Sequence, residues 1–218
     1  MLPATKNKSR SASRARNPQR TRERLLQAAF KEVYLSGFQG ADLDSILHSA
    51  GVTKGALYHH FENKESLGYA IVDEVILGIT LEKWVRPLQN ALDPVTALIE
   101  IVVSTSVVPH DLRGGCPLNN LAQEMSPLDE GFRKRLASVF ATWHKSIASA
   151  LLAGQQRGLV RRDLDAEDTA TFVIATYEGF ISLSKNSQDS KMLQSGKRSI
   201  INYLQTLRAM SSGQAAGE

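Results

Sequence analysis

Hydrophobic residues along this chain recur at intervals of three and four positions, the spacing of one face of an α-helix. The longest such stripe is formed by Phe132, Leu136, Val139, Phe140, Trp143, Ile147, Ala150 and Leu151. Gly154 and Gly158 follow it and are expected to end the helix. No segment alternates polar and apolar residues between turn signals, as a half-buried β-strand does. The pattern therefore predicts an all-α fold.

Eight other segments carry the same helical spacing, so that about nine helices are expected in total. They are residues 26–37, 43–50, 53–61, 63–84, 94–108, 117–125, 165–184 and 189–209. Gly37 and Gly51 are expected to end the first two, and Pro87 is expected to prevent the fourth from continuing. We expect Asn63 to cap the fourth helix and residues 113–115 to form a loop.

The chain has 218 residues, of which 42% are hydrophobic and 22% charged, as in ordinary globular proteins. This composition excludes a mostly disordered or collagen-like chain. The net charge is +4, but it is unevenly distributed. The first 20 residues carry a net charge of +6, whereas the rest of the chain carries −2. Such a basic arm either binds nucleic acid or is a solvated tail, and composition alone favours the tail.

Cys116 is the single cysteine, which excludes an internal disulfide framework and is typical of a reducing compartment. The N-terminus has no apolar segment of the kind found in secretory signals. The longest uncharged apolar run, residues 101–108, is too short to span a bilayer. We therefore expect a cytoplasmic protein, and no motif indicates a cofactor or a metal site.

Residues 42–61 have the layout of a helix-turn-helix, two short helices joined by a tight turn at Gly51. Leu57 and Phe61 lie four residues apart in the second helix, so they share one face and are expected to point into the core. The opposite face carries small residues in its first turn and hydrogen-bonding rings further on. A helix that enters the DNA major groove needs such a leading end, because bulky side chains would prevent close approach.

Gly37-Phe38, Ile46 and the string AGVTKGALYHHFENKESL at residues 50–67 resemble the TetR family of transcriptional repressors. The match covers about residues 21–70 and implies a DNA-binding repressor, not an enzyme. It implies DNA contacts for Thr53, Lys54, Gly55, Ala56, Tyr58, His59 and Lys64. Their hydroxyl and ammonium groups suit phosphates, while glycine and the alanine methyl group allow close approach to bases. The family usually has a threonine pair where this chain has Ala41-Asp42, so Asp42 is expected only to cap its helix.

The resemblance also implies a homodimer on a palindromic operator, with two recognition helices roughly 34–36 Å apart. In the family the last two helices pair with those of the second subunit. Here the small residues Ala170, Ala175 and Gly179 would allow that approach, unless they face the core of their own chain. We accordingly divide the chain into a basic arm (1–20), a helix-turn-helix domain (21–67), an effector-binding and dimerisation domain (68–211) and a tail (212–218).

The family's pocket for a small-molecule effector lies between the helices of residues 63–158. Its candidate residues in this chain are Trp84, His110, Met125, Phe140, Trp143, His144 and Tyr177. Ordinary core packing is the alternative for each of them. The identity of the effector does not follow from the sequence.

Cys116 follows two glycines and precedes a helix that starts at Pro117, a position where the helix dipole lowers the pKa of a thiol. The string GCPLNNLAQEMSPLDEGFRKRL resembles a TetR branch that includes repressors of electrophile and oxidant responses. In that branch a cysteine at this place reacts with the reagent and a lysine corresponding to Lys185 takes part. The alternatives are a small buried cysteine and a lysine that ends a helix.

Two further functions compete with the repressor. Cys116 with His110 or His144 is the one nucleophile–base pair that an enzyme could use, although no motif fixes their geometry. A non-specific architectural DNA-binding protein could instead rely on the basic arm.

Overall fold

A computed structural model describes residues 18–106 and 109–209. Helices make up most of these residues, and β-structure is limited there to one isolated antiparallel bridge between Val160 and Arg208. The all-α prediction is therefore confirmed. No helix in the described ranges is both long enough and apolar enough to cross a membrane. Residues 1–17 of the predicted arm and the predicted tail (212–218) lie outside the described residues. Residues 18–20, which were assigned to the arm, instead belong to the first helix.

All nine predicted helices are present in the described ranges, and a short additional helix occupies Pro109–Gly114, where part of a loop was expected. We number them in chain order as α1 (Pro18–Gly40), α2 (Leu43–Ala50), α3 (Lys54–His60), α4 (64–89), α5 (Pro94–Val103), α6 (Pro109–Gly114), α7 (Pro117–Met125), α8 (Glu130–Gln156), α9 (Ala166–Ser187) and α10 (Ser190–Gln205).

Most of these helices are preceded by a residue whose side chain accepts a hydrogen bond from a backbone N–H group of the first turn. The capping residues of this kind include Asp42, Asn63, Asp93, Asp129, Asp165 and Asp189. Asn63 forms a reciprocal capping box with Ser66, and Asp42 accepts from the backbone N–H of Ser45 at 2.8 Å, so both predicted caps are confirmed. Each cap contributes about 1 kcal/mol by satisfying a backbone donor that would otherwise lack a partner.

Several predicted helix ends were displaced. α5 was expected to reach residue 108 but ends at Val103. Gly37 interrupts α1 with a positive φ of 76°, after which a last turn continues to Gly40. α4 was expected to end near Trp84 but continues past Pro87 to Gln89. Wide π-helical turns at Ile71–Ile76 and Leu81–Val85 change the hydrogen-bonding pattern of α4. The second turn lies just before Pro87, which has no backbone N–H to donate.

The stripe predicted on α8 forms the centre of the larger core. Phe132, Leu136, Trp143, Ile147 and Leu151 are each at most 2% exposed. They are buried because α4, α7 and α9 pack around α8. Each such side chain stabilises the fold by about 1.5–3 kcal/mol through removal of apolar surface from water.

Candidate nucleic-acid interface

The turn between α2 and α3 is held against α1 by one arginine. Gly51 lies in this turn with a left-handed backbone, φ 60° and ψ 45°, which favours glycine. The Arg24 guanidinium donates hydrogen bonds to the carbonyl oxygens of Ala50 and Gly51. A Cβ atom at position 51 would lie 2.7 Å from Arg24 Nη2, so the close approach also requires glycine. The first three helices therefore form one packed unit.

The start and the inner face of α3 are fixed by three side chains. Thr53 caps the helix, because its Oγ1 accepts a hydrogen bond from the backbone N–H of Ala56 at 3.3 Å. Leu57 and Phe61 are 2% and 5% exposed, which confirms that they anchor the helix in the core. The opposite face is consequently turned toward solvent.

This outward face of α3 is small and polar, and consists of Lys54, Gly55, Tyr58 and His59. Tyr58 is 46% exposed, so the described residues leave much of its ring open to solvent. A Cβ atom added to Gly55 would meet nothing within 4 Å. The packing of the described residues therefore gives no reason for glycine at this position.

His60 belongs to the inner side of the same helix. It is half-buried, and its ring centroid lies 5.1 Å from that of His59. Burial, followed by the charges of His59 and Arg22, lowers the pKa of His60. This histidine is therefore neutral at pH 7 and suited to packing rather than to binding a phosphate.

Lys64 has a different environment from the one expected for a phosphate contact. Its Nζ donates hydrogen bonds to the carbonyl oxygens of Ala41 at 2.6 Å and Gln39 at 3.2 Å. The ammonium group also lies 5.1 Å from the ring centroid of Phe38. These carbonyls lie at the C-terminal end of α1, where a cation is favoured by the helix dipole. The structure places Lys64 within the domain, as a link between α4 and α1.

Glu124 joins the helical bundle to the helix-turn-helix unit. Its two carboxylate oxygens accept hydrogen bonds from the backbone N–H groups of Phe38 and Gln39, each at 2.8 Å. A Cβ atom at Gly37 would lie 2.9 Å from one of these oxygens, so the approach depends on glycine. At the other end of α7, Tyr34 of α1 donates a hydrogen bond to the carbonyl oxygen of Gly115 at 2.9 Å. α1 is therefore attached at both ends of α7.

A cavity of about 240 Å³ lies between α4, α7, α8 and α9. Its walls are mainly aromatic and aliphatic side chains, and they include Tyr34, Ile76, Thr80, Lys83, Trp84, Leu112, Cys116, Trp143, Tyr177, Glu178 and Ile181. The ring centroids of Trp84 and Trp143 are 4.6 Å apart, and Tyr177 meets Trp84 edge-on at 5.0 Å. Since Gly115 and Cys116 line this cavity, it reaches the end of α7 to which Tyr34 is bonded.

The structure places the predicted pocket residues in three different environments. Trp84, Trp143 and Tyr177 line the cavity. Met125 and Phe140 do not; Met125 is buried in the core, and Phe140 stacks beside Trp143 at 6.3 Å. The side chain of His110 lies outside the described residues.

His144, the remaining candidate, lies on the far side of α8 and faces α9. Its Nε2 is 3.0 Å from both the carbonyl oxygen of Glu167 and Oγ1 of Thr171. These partners keep the ring away from the cavity, so the structure brings no Cys116–His144 pair together. Among the described residues, no three His, Cys, Asp or Glu side chains are grouped to hold a metal ion.

Two charged residues of the cavity were missed by the sequence analysis. Lys83 donates a hydrogen bond from Nζ to Tyr177 Oη at 2.5 Å, and burial lowers its pKa. Glu178 is 7% exposed, and burial raises its pKa to about 7 although Cys116 and Lys83 oppose this shift. Glu178 follows Ile174 by four positions and precedes Ile181 by three. A carboxylate on an apolar helix face was thus the available signal.

The position of Cys116 at the start of α7 does not make it a thiolate. Burial and the neighbouring Glu178 carboxylate raise the pKa of this thiol, and they outweigh the backbone N–H groups of the helix start. The expectation of a lowered pKa was therefore wrong, because the thiol faces an apolar cavity rather than solvent. Lys185 lies outside the cavity lining, where its Nζ donates to Asn120 Oδ1 at 3.0 Å.

One face of α9 is exposed and apolar. Phe172 and Leu183 are 48% and 56% exposed, and Ala175 and Gly179 lie exposed between them on the same stripe. A Cβ atom at Gly179 would meet nothing within 4 Å. Ala170, which was predicted with this group, is instead fully buried in the core of its own chain.

Comparisons with known proteins agree with this architecture. Residues 25–71 match a family model described as bacterial regulatory proteins of the tetR family, and residues 91–200 match a tetracyclin repressor-like C-terminal domain. The chain is 30% identical to the HTH-type transcriptional repressor DhaR from Mycobacterium sp. (strain GP1), over 77% of this chain and 82% of DhaR.

Two crystal structures of similar proteins have the same fold. Regulatory protein TetR from Rhodobacter sphaeroides is 27% identical and has a TM-score of 0.74, with 84% of this chain and 98% of that chain covered. A TetR transcriptional regulator from Chloroflexus aurantiacus J-10-FL is 26% identical, with a TM-score of 0.77 and coverage of 89% and 98%. The similarity therefore extends over both parts of the molecule.

Proposed function

The chain belongs to the TetR family of DNA-binding transcriptional regulators, not enzymes, and from this premise we propose that it is a dimeric repressor released from its operator by a small molecule. In this proposal residues 21–67 bind DNA, and residues 68–211 bind the effector and form the dimer. The observation that carries it is the exposed polar face of α3 in a chain that also contains a cavity lined mainly by apolar side chains.

The DNA contacts are assigned to the leading end and outer face of α3. Thr53 and Tyr58 place hydroxyl groups where they can donate to phosphates, and Lys54 carries the charge. Gly55 and Ala56 allow the helix to approach the bases, and His59 offers a ring nitrogen. Lys64 is no longer assigned to DNA, because carbonyl groups of its own domain bind its ammonium.

The dimer interface is assigned to the outer stripe of α9, together with α10. Phe172 and Leu183 would bury apolar surface against the partner, while Ala175 and Gly179 would let two helices approach closely. This arrangement would set two α3 helices roughly 34–36 Å apart, so that both enter the major groove on one side of a palindromic operator.

Release is assigned to a movement of α7 that follows binding in the cavity. Cys116 and Gly115 at the start of α7 line the cavity, whereas Glu124 near its end holds the backbone of Phe38 and Gln39. A ligand that favours a different position of α7 would therefore shift α1 and the attached helix-turn-helix unit. The ligand can shift the equilibrium between the two positions by no more than the ratio of its affinities for them, and the DNA-bound population falls accordingly.

A gel-shift assay with the DNA upstream of the protein's own gene tests this proposal. We expect a discrete complex that excess unrelated DNA does not displace and that weakens steeply with salt. Absence of any sequence preference would contradict the proposal. Deletion of residues 1–17, which leaves α1 intact, should weaken the complex without abolishing it; abolition would instead favour an architectural protein that depends on the basic arm.

Covalent switching at Cys116 by electrophiles or oxidants is the second candidate mechanism. It is supported by the position of the thiol in the cavity wall, where a small reagent that enters would reach it. The raised pKa of Cys116 opposes it, because the thiolate is the reactive form. Under this mechanism Cys116→Ser keeps operator binding and loses release by electrophiles or hypochlorite. Unchanged release in that variant would reject it.

A further inference from the structure

The cavity is lined mainly by apolar side chains and also by two side chains of opposite charge that form no ion pair with each other. Lys83 and Glu178 both line it, yet no ion pair joins them among the contacts of the described residues. One N–H of the Lys83 ammonium is used by Tyr177. A bound molecule can therefore meet a donor and an acceptor in the same cavity.

Glu178 is the polar group that most clearly lacks a partner. Among the described residues, both of its carboxylate oxygens are buried without a hydrogen bond of normal geometry. The Cys116 thiol, a weak donor, and the charge of Lys83 are the groups of the cavity that act on this carboxylate. The indole N–H of Trp143, another cavity residue, is also buried without an acceptor. Buried polar groups are nearly always hydrogen-bonded, so these atoms indicate a partner that the described residues do not supply.

The volume of the cavity limits the size of that partner. An apolar cavity of about 150 Å³ already holds benzene. About 240 Å³ therefore accommodates one aromatic ring with a short polar substituent, between the rings of Trp84, Trp143 and Tyr177. Aromatic walls of this kind favour a flat apolar body.

We propose that the cavity binds a small, uncharged molecule with a flat apolar body and one group, such as a hydroxyl, that donates a hydrogen bond to Glu178 and accepts one from Lys83 or Trp143. This inference rests on the proposed role of the cavity as the effector site. A cationic ligand would meet the Lys83 ammonium, and an anionic ligand would meet the Glu178 carboxylate. A purely apolar ligand would leave the buried polar atoms without partners.

Four probes of nearly equal size separate these possibilities: benzyl alcohol, toluene, benzylammonium and benzoate. The chain has two tryptophans, and both line the cavity, so tryptophan fluorescence, excited at a wavelength that tyrosine does not absorb, reports binding beside these two rings. At pH 8, where Glu178 is ionised, benzyl alcohol should bind roughly 10- to 100-fold more tightly than toluene, the ratio expected for a hydrogen bond to a charged group. It should also bind more tightly than either ion.

Two variants test the assignment of the charges. Lys83→Met should raise the affinity for benzylammonium relative to benzyl alcohol, and Glu178→Gln should do the same for benzoate. Tighter binding of toluene or of either ion by the unmodified protein would overturn the proposal, as would the absence of any fluorescence change with all four probes. Because that ranking needs no variant, a failure of a variant to fold leaves the test intact.

The measurement is independent of DNA. If the protein binds its operator but the four probes do not bind in the expected order, the proposed ligand class is rejected and the proposed repressor function stands. If no operator binding is found, the proposed function fails, and the fluorescence titration still decides what the cavity binds.

Discussion

At the scale of single residues, the glycines of this chain separate into those that its own packing requires and those that it does not. Gly37 and Gly51 have positive φ angles and close neighbours, Glu124 and Arg24 respectively. Gly55 has neither a positive φ nor a neighbour. Helix propensity disfavours glycine by about 1 kcal/mol relative to alanine, and under the proposed function the close approach of α3 to DNA accounts for glycine at this position.

Substitution of Gly55 by leucine distinguishes DNA contact from an ordinary surface position. We expect Gly55→Leu to leave the free energy of unfolding unchanged or to raise it by about 0.5–1 kcal/mol, through better helix propensity. Operator affinity should fall roughly tenfold or more, because the side chain holds α3 away from the bases. Gly78→Leu, at a helical glycine on α4 that also lacks neighbours, is the matched control and should bind normally. Normal binding by both variants would remove Gly55 from the interface.

Glu178 makes the stability of the protein depend on pH in a defined direction. Burial raises its pKa to about 7 from an ordinary 4.5. Between these values the folded chain holds a proton that the unfolded chain has released, so the free energy of unfolding falls as pH rises, by up to about 3 kcal/mol. The lowered pKa of His60 has the opposite effect on the free energy of unfolding, because the unfolded chain binds this proton more readily than the folded chain does. Denaturant titrations should therefore compare Glu178→Gln with the unmodified protein, and the difference between them should grow from pH 5 to pH 7 in favour of the variant.

At the scale of elements, α7 is the helix that links the two halves of the molecule. Its start lines the cavity, and Glu124 near its end bonds to two backbone N–H groups of α1. Both bonds involve a carboxylate, so they are stronger than bonds between neutral groups. In the proposed release, Glu124 at one end of α7 and Tyr34 at the other are the side chains through which a movement of this helix would reach α1.

Replacement of Glu124 by glutamine tests this link. Only one oxygen remains to accept a hydrogen bond, and the new NH₂ group opposes a backbone N–H. We expect Glu124→Gln to lower the free energy of unfolding by about 1–3 kcal/mol and to reduce ligand-induced release from the operator, with ligand affinity in the cavity unchanged. Glu100→Gln, an exposed glutamate on α5, is the control. Undiminished release in Glu124→Gln would mean that another contact carries the signal.

The exposed stripe of α9 gives a prediction about assembly. Leu183→Glu places a charge in the proposed interface, and we expect sedimentation to show a monomer that binds the operator weakly. Leu152, a 45% exposed leucine on α8, provides the control, and Leu152→Glu should remain a dimer. A dimer in both variants would place the interface elsewhere.

The helices could be predicted from sequence because their apolar stripes and caps are local patterns. The site could be predicted only in part. Trp84, Trp143 and Tyr177 were identified as pocket candidates, whereas Glu178 was missed although it lies on an apolar face of its helix. The resemblance implied a phosphate contact for Lys64. Its sequence neighbours did not show that the carbonyl groups of Gln39 and Ala41 bind its ammonium group instead.

At the scale of the whole molecule, charge and fold have separate roles. The fold of the described residues positions α3. The basic residues before Pro18 add positive charge next in sequence to the helix-turn-helix domain that contains α3. Specificity is therefore expected from α3 in two copies, and the arm is expected to contribute affinity without sequence preference.

The central claim is that two copies of this chain recognise one palindromic DNA sequence. It is tested most directly by fluorescence anisotropy, with the operator fragment and a shuffled fragment of equal length titrated at physiological salt. The account predicts two chains per operator, an affinity on the order of 10³-fold or more above that for shuffled DNA, and a linear fall of log K with log salt. Equal affinity for the two fragments would contradict it.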